Sequence, residues 1–402
     1  MMTMVQSTVD TQFAVSNTQA YESGVVPRRG DTVMVAGEGC WMVDAEGQRY
    51  LDMTSSQGVA MLGYGHPVLT EAIQEQAGRM HACPNFFHND TRAIFLERLI
   101  SVTPDHLTRA FLGNSGAEAI DGAIKFARLA TGRTGIVAAR NSFHGRTLGA
   151  LSITWNPRYR RKFEPLLPDV SYVHFNNIDQ LDEEVADGTA AVVLEVIQAE
   201  GGVHVGSADF LAAAQQLCRE RGAMLVIDEV QTGFGRTGRW FGFQHFELEP
   251  DIVALAKGLG GGFPMGAVVY TEQIQESLFS GAHGSTFGGN PLACAAGIAA
   301  LGVYEDGLIE QAERAGRRLR EALKAAIGSR RVVREIRGKG LLIGIDLRTK
   351  AVPFLKTLME EHKVLALPAG STVLRLLPPL TICNEEIEMA VEAIAATLPD
   401  SV

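Results

Sequence analysis

The sequence predicts an α/β protein in which a large unit, with a mostly parallel seven-stranded sheet between helices, is joined to a smaller α+β unit. Three observations carry that expectation. At 402 residues the chain is too long for one compact core and long enough for two or three structural units. From about residue 107, short apolar runs alternate with segments of helical spacing, the pattern of parallel strands joined by crossover helices. The flanks read differently, with glycine-punctuated apolar pieces before residue 60 and helices mixed with strands after Pro291.

Residues 1 to about 30 are polar and mixed, and read as an arm lying on the body. Val33–Ala36, Trp41–Asp44 and Tyr50–Asp52, separated by Gly37-Glu-Gly39 and Ala45-Glu-Gly47, form an expected antiparallel meander. Gly63-Tyr-Gly-His-Pro67 breaks the chain before a helix that begins over Val68–Ala77. The strands of the large unit are expected at Ala110–Gly113, Gly135–Ala139, Val170–Phe175, Ala191–Val196, Met224–Asp228, Ile252–Ala256 and Met265–Tyr270. Between them, Ala117–Ala130 places Ile120, Ala123, Ile124 and Ala127 on one face, and Ala208–Arg221 is also helical in pattern. After Pro291 come an alanine-rich helix and a second one over Gly307–Ile327, with Leu308, Ala312, Ala315, Leu319 and Leu323 on one stripe. Leu341–Leu347, Val373–Leu377 and a helix over Glu385–Leu398 complete the chain. The expected division is an arm and meander over 1–60, a large α/β domain over 61–304 and a small α+β domain over 305–402. The first and last of these are expected to pack together.

Composition narrows the function. A net charge of -10 and a pI near 5.5 argue against nucleic acid or an anionic membrane as the main partner, so small-molecule chemistry is expected. The five cysteines are odd in number and scattered, with no C-x-x-C pair, which fits a reducing cytoplasm rather than a disulfide framework or structural zinc. The N-terminus has no basic cluster followed by an apolar core, and no run of membrane-spanning length is expected. Neither repeats nor low-complexity tracts occur.

Several stretches bear residues with chemistry. In Pro250-Asp-Ile-Val-Ala-Leu-Ala-Lys257-Gly-Leu-Gly-Gly-Gly262, a buried strand over Ile252–Ala256 would leave Lys257 at its end, above a turn of glycines. A desolvated amine has a lowered pKa and attacks carbonyls, whereas a solvated lysine in a flexible turn does not; this stretch alone fits both. Gly113-Asn-Ser115-Gly116-Ala117-Glu118 follows a strand and opens a helix. Its Ser115 and Glu118 have capping-box spacing, and the free N–H groups of Ser115, Gly116 and Ala117 equally suit a phosphate. Asp228 ends an apolar strand in Val226-Ile-Asp228-Glu229-Val230-Gln231, where ligands of open α/β sheets gather and where aspartates also cap turns. Gly233-Phe-Gly235-Arg-Thr-Gly238 spells the dinucleotide fingerprint, but it stands four residues from the strand and no amphipathic helix follows, so a dinucleotide site is not expected. His81-Ala-Cys83-Pro-Asn-Phe-Phe-His88 has metal-ligand residue types at a spacing that matches no ligand pattern, and reads as a loop near a substrate entrance. A phosphate cup, a strand-end acid and a strand-end lysine are together what pyridoxal phosphate requires: an anchor, a partner for its ring nitrogen and an amine for its aldehyde.

Asp228-Glu-Val-Gln-Thr-Gly-Phe-Gly-Arg-Thr-Gly238 and Ala256-Lys257-Gly-Leu-Gly-Gly-Gly-Phe-Pro264 together resemble the signature of class III pyridoxal-phosphate aminotransferases. The resemblance extends from Trp41-Met-Val-Asp-Ala-Glu-Gly-Gln-Arg-Tyr-Leu-Asp52 to Arg375-Leu-Leu-Pro-Pro-Leu380, and points to acetylornithine aminotransferases and to relatives acting on lysine bound to an amino-group carrier protein. It implies fold type I of the pyridoxal-phosphate enzymes. Lys257 would be the lysine that bonds the cofactor and shuttles the proton, Asp228 the partner of the ring nitrogen, and Gln231 a donor to the phenolic oxygen. Ser115, Gly116 and Ala117 match the phosphate cup, with Ala117 where many relatives have threonine. Phe143 would stack on the ring beside His144, and Thr286 would reach the phosphate from a neighbouring subunit, which implies a homodimer with shared sites. Arg146 and Arg375 are implied as carboxylate clamps, with Glu200 pairing Arg375 and releasing it when a dicarboxylate binds; Val196 and Ala199 replace the usual proline and glycine near that pair.

The implied reaction moves an ω-amino group to 2-oxoglutarate, giving a semialdehyde and glutamate by ping-pong kinetics. Gln57 follows Ser55-Ser56 where free-ornithine enzymes of the family carry tyrosine, so N2-acetylornithine is the expected donor. Carrier-linked lysine is the alternative, on the likeness of Trp155-Asn-Pro-Arg-Tyr-Arg-Arg-Lys162 and Glu361-His-Lys-Val-Leu-Ala-Leu367 to the lysine-pathway enzymes. The basic residues Arg158, Arg160, Arg161 and Lys162 suit an acidic carrier, or a solvated face. An aminomutase, which needs no 2-oxoglutarate, is the alternative from another reaction class.

Overall fold

The computed structural model describes residues 10–401. The arm expected over residues 1–30 is described from Asp10 onward. It carries a helix, Thr11–Tyr21, whose N-terminus Asp10 caps and which buries none of its residues. Three strands follow as the meander, β1 (Met34–Glu38), β2 (Trp41–Asp44) and β3 (Arg49–Asp52), each antiparallel to its neighbour.

The large sheet is built from β4 (Leu107–Gly113), β5 (Gly135–Ala139), β6 (Val170–Val173), β7 (Thr189–Leu194), β10 (Met224–Asp228), β11 (Ile252–Ala256) and β12 (Gly266–Thr271), with a small hairpin of β8 (Ile197–Gln198) and β9 (His204–Val205) beyond β7. All seven expected strands join it, in the order β4-β12-β11-β10-β7-β5-β6. Only β12 runs against its neighbours. Every residue of β7, β10 and β11 is buried, as continuous apolar runs in a helix-covered parallel sheet require. The helix Gly116–Thr131 buries Ile120, Ala123, Ile124 and Ala127 against this sheet, as its spacing predicts, and ends at a left-handed Gly132. Ala208–Arg221 ends at Gly222 in the same way. The strands β5, β7, β10 and β11 all point one way, so their carboxyl ends open on one edge.

The C-terminal part forms a second sheet from β13 (Val333–Lys339), β14 (Leu342–Leu347), β16 (Leu367–Ala369) and β17 (Val373–Leu376), in the order β13-β14-β17-β16. The two-residue β15 (Val364–Leu365) leaves it to pair in parallel with β3 of the meander. Trp41 Nε1 also donates to Glu386 of the closing helix at 2.8 Å. The strand β13 and a helix over Val352–Glu360 have no counterpart in the sequence expectation, because Val-Arg-Glu-Ile-Arg-Gly-Lys is charged enough to read as loop.

Two expectations about the helices after Pro291 need correction. They are not separate: Pro291–Val303 continues through a π-turn, Tyr304–Leu308, into Ile309–Ile327, with Gly307 at φ +89° absorbing the kink. The 37-residue stretch Pro291–Ile327 is thus long and apolar enough to cross a membrane by length and composition, contrary to the expectation of no such run. The reason is that its first half is apolar on every side, as a helix enclosed by protein must be, and it packs on Pro67–Arg79 and Asp90–Ser101.

Candidate active site

The floor of the site forms where β10 and β11 end side by side, with Asp228 in register with Ala254. Lys257 follows β11 directly, at φ +49°, a left-handed conformation that turns it out of the sheet. Its Nζ donates to Gln231 Oε1 at 2.6 Å. Burial lowers the lysine to about 8; the charge of Glu200 works against that shift, Arg375 adds to it and Asp228 opposes it. Asp228 is 5% exposed and uses both oxygens, Oδ1 accepting from the Val230 N–H at 2.9 Å and Oδ2 meeting His144 Nδ1 at 2.7 Å. Burial disfavours the charged imidazole, yet the hydrogen bond and charge of Asp228, with Glu195 behind it, outweigh burial and raise His144 above its ordinary range. Glu195 is itself buried and pushed up to about 7, by desolvation first, with His144 opposing and Asp228 reinforcing the shift. Its two oxygens accept from the N–H groups of Phe143, at 3.0 Å, and Ala199, at 3.2 Å.

The first turn of helix Gly116–Thr131 forms the side wall. Ser115 Oγ accepts from the Glu118 N–H, while the Glu118 carboxylate folds back onto the N–H and amide of Asn114 rather than onto Ser115. This is half of the expected capping box. Gly116 and Ala117 hold first-turn N–H groups, which have no acceptor within a helix. A Cβ on Gly116 would lie 2.9 Å from Val230 Cγ1, so only glycine lets that turn approach the Asp228 loop. Together these groups enclose a cavity of about 190 Å³, lined by Gly116, Ala117, Phe143, His144, Glu195, Glu200, Asp228, Gln231 and Lys257 among others.

The rim is made of longer side chains and unusual backbone. Arg375, on β17 and 2% exposed, donates from Nη2 to Glu200 Oε1 at 2.6 Å, while its Nε and Nη1 have no protein partner. The pair forms with Val196 and Ala199 in place. Arg146 is exposed, and its guanidinium lies 3.5 Å from the Tyr159 ring centroid and 5.5 Å from that of Phe143. Gln57 is exposed in a turn, Ser55–Gly58, that is wound left-handed, with φ of +40°, +51°, +65° and +84°. Three of those residues carry a Cβ, and each left-handed one costs about 1–2 kcal/mol. Thr286 is exposed on the loop before Pro291 and is not among the residues lining the cavity; its neighbour Ser285 meets Asn114 at 3.1 Å.

The sequence reading therefore finds Lys257, Asp228, Gln231, Gly116, Ala117, Phe143, His144 and Glu200 lining one cavity, with Ser115 capping the wall helix, Arg375 paired to Glu200, and Arg146 and Gln57 outside it. It overlooks Glu195, Tyr159 and Arg236. The dinucleotide look-alike Gly233–Gly238 is a chain of turns followed by a short 3-10 helix, Gly242–Phe246, and its Arg236 is completely buried. Nothing local marks Glu195 or Arg236, whereas Tyr159 sits inside the basic segment already singled out for its charge.

Two buried nitrogens that face no protein acceptor, Gln231 Nε2 and His144 Nε2, belong to residues of this cavity. With an attacking amine, an acid on the neighbouring strand and an unfilled helix start around one small space, the residues fit a flat ring bearing an aldehyde, a nitrogen and a phosphate. The fold is that of the pyridoxal-phosphate enzymes of fold type I. The family model for aminotransferase class-III matches residues 25–398, and the chain belongs to that family. It is 43% identical over 381 residues to the [LysW]-aminoadipate semialdehyde transaminase of Deinococcus radiodurans, covering 94% of this chain and 88% of the relative. It is 45% identical over 378 residues to the acetylornithine aminotransferase of Caldanaerobacter subterraneus subsp. tengcongensis, covering 92% and 95%. Among solved structures, the ornithine aminotransferase of Toxoplasma gondii, described with partial occupancy of PLP at its active site, superposes with a TM-score of 0.91 at 31% identity, covering 98% of this chain and 95% of that one.

Proposed function

We propose that this aminotransferase moves the ω-amino group of N2-acetylornithine to 2-oxoglutarate, with pyridoxal phosphate in the cavity between β10, β11 and helix Gly116–Thr131. The observation that carries the reading is Lys257, a lysine lowered to about 8 whose Nζ lies 2.6 Å from Gln231 and which shares its cavity with Asp228. When bound, the cofactor supplies an electron sink that acidifies the C–H beside the substrate nitrogen. The chain's own residues do the rest. Lys257 holds the cofactor aldehyde and, once displaced, carries the proton on its Nζ. Asp228 pairs the ring nitrogen, and His144, hydrogen-bonded to it, keeps that carboxylate oriented. Gln231 offers its unpartnered Nε2 to the phenolic oxygen. Phe143 packs on the ring, its backbone fixed by Glu195. Ser115, Gly116 and Ala117 bind the phosphate through the helix start.

Arg375 and Arg146 are the proposed carboxylate clamps. Arg375 keeps two donor groups free while Glu200 occupies a third, so a dicarboxylate displacing Glu200 would gain a fork already in position. Gln57 stands at the rim where a donor would enter. Thr286 is proposed to complete the phosphate site of a second copy. The exposed Phe86, Phe87 and Phe287 support that homodimer as the apolar surface a partner subunit would cover. Five free cysteines support a cytoplasmic location.

A second reading, in which the donor is lysine joined to an acidic carrier protein, is supported by Arg158, Arg161 and Lys162, exposed near Arg146, and by the likeness to the Deinococcus radiodurans enzyme. Turnover with both donors separates the two: a kcat/KM higher for the carrier-linked donor replaces acetylornithine as the substrate. Parallel initial-velocity lines and an absolute need for 2-oxoglutarate are expected. Intersecting lines would count against the ping-pong course, and product without that acceptor would favour an aminomutase.

A further inference from the structure

Arg236 is the largest side chain buried completely among the described residues, and no carboxylate lies within ion-pair distance of it there. Burial lowers its guanidinium to about 10, against the charges of Tyr304 and Asp52. An unpaired buried cation is costly, so what it touches matters. Its Nη1 donates to the carbonyls of Leu341, at 3.2 Å, and Pro378, at 2.5 Å, and its Nη2 to Ser55 Oγ at 3.0 Å. Ser55 Oγ in turn donates to the Leu377 carbonyl at 2.7 Å. One planar fork therefore joins three segments, which a lysine could not do.

Ser55 is the first residue of the left-handed turn Ser55–Gly58. The last residue of that turn, Gly58 at φ +84°, is pressed against Gln231: a Cβ there would lie 2.3 Å from Gln231 Oε1, the atom that accepts from Lys257. Gln231 and Arg236 belong to the same loop, so this loop grips the turn at both ends. We propose that Arg236 is a positioning residue, which holds Ser55–Gly58 in its left-handed form and thereby sets the Gln231–Lys257 contact and the placement of Gln57 at the rim. The strain of the turn is balanced by these bonds, as strained backbone beside functional groups must be. The proposal rests on the reading of Lys257 as the cofactor lysine.

The test uses holoenzyme variants Ser55→Ala, Arg236→Lys and Gly58→Ala, with cofactor-loaded sites counted by visible absorbance. Per loaded site, the half-reaction with L-glutamate is expected to slow ten-fold or more in each. Amide hydrogen exchange at Gly58, Val59 and Ala60, whose N–H groups bond Thr54 and Ser55, is expected to rise ten-fold or more in Ser55→Ala and Arg236→Lys, with β10 and β11 unchanged. Ser55→Ala combined with Gly58→Ala is expected to slow the half-reaction by less than the product of the two single effects, because both act through Gln231. A purely structural Arg236 would lower yield and Tm while leaving the rate per loaded site intact. A loaded Ser55→Ala enzyme with a rate within two-fold of the parent overturns the proposal, whether or not Arg236→Lys folds. Lys257→Ala is the control: if it keeps the visible absorbance, the underlying site reading fails instead.

Discussion

The floor and the rim of the cavity are made from different material. Asp228 and Lys257 sit at the ends of strands that are buried throughout, Gly116 opens the helix that covers them, and the β10–β11 register alone brings the acid and the lysine to one edge. The rim is assembled from positions 57, 146, 200 and 375, in loops, a strained turn and the second sheet. Its side chains are long, Gln57 and Arg146 are exposed, and Arg146 is held by an aromatic face rather than by a carboxylate. A floor of this kind fixes geometry for chemistry that every substrate of the family shares. A rim of this kind discriminates between substrates and can be altered without moving the sheet.

If that division holds, floor substitutions cost orders of magnitude in kcat, and rim substitutions act mainly through KM. Asp228→Asn is expected to lower kcat about 10³-fold, the scale for losing one preorganised electrostatic partner; a KM effect alone in steady-state assays would erase the distinction. The lowered lysine gives a pH signature. Free amine is the form that attacks an aldehyde, so capture of pyridoxal phosphate by the cofactor-free protein should rise through a midpoint near 8 instead of the ordinary 10.5. Below the midpoint the ammonium dominates and capture slows; at pH 8 the free-amine fraction exceeds that of an ordinary lysine by about 10²-fold. Stopped-flow absorbance across pH 6–11 reads it, and a midpoint above 10 would mean that the floor is not desolvated.

On the rim, Arg375→Ala is expected to lower kcat/KM for 2-oxoglutarate about 10- to 100-fold, mostly in KM, the worth of a charge-assisted fork. Glu200→Ala, which frees the same fork, is expected not to raise that KM. The smallest effect belongs to Tyr159→Leu, a rise of about 3- to 5-fold in donor KM from losing the face under Arg146, with kcat unchanged. A larger fall in kcat there would move Tyr159 into the floor.

The same contrast explains what could be read in advance. Apolar runs ending in Asp228 and at Lys257, and a serine-capped helix start, announce themselves locally, so the seven strands and the floor were legible. The contacts of the rim are not local: Arg236 reaches Ser55 across 181 positions, and no periodicity encodes a left-handed turn stabilised from a distant loop. Glu195 was hidden because it ends a strand as any buried acid might, and its role appears only once its oxygens meet the backbone of Phe143 and Ala199. The strand β13 was missed for the opposite reason, since its charged residues conceal the ladder it makes with β14.

The most direct test of the central claim is to reduce the cofactor-loaded protein with borohydride, digest it and locate the pyridoxyl group by mass spectrometry. The label is expected on Lys257 alone. A label on another lysine, or a fully loaded protein that traps none, would contradict the account.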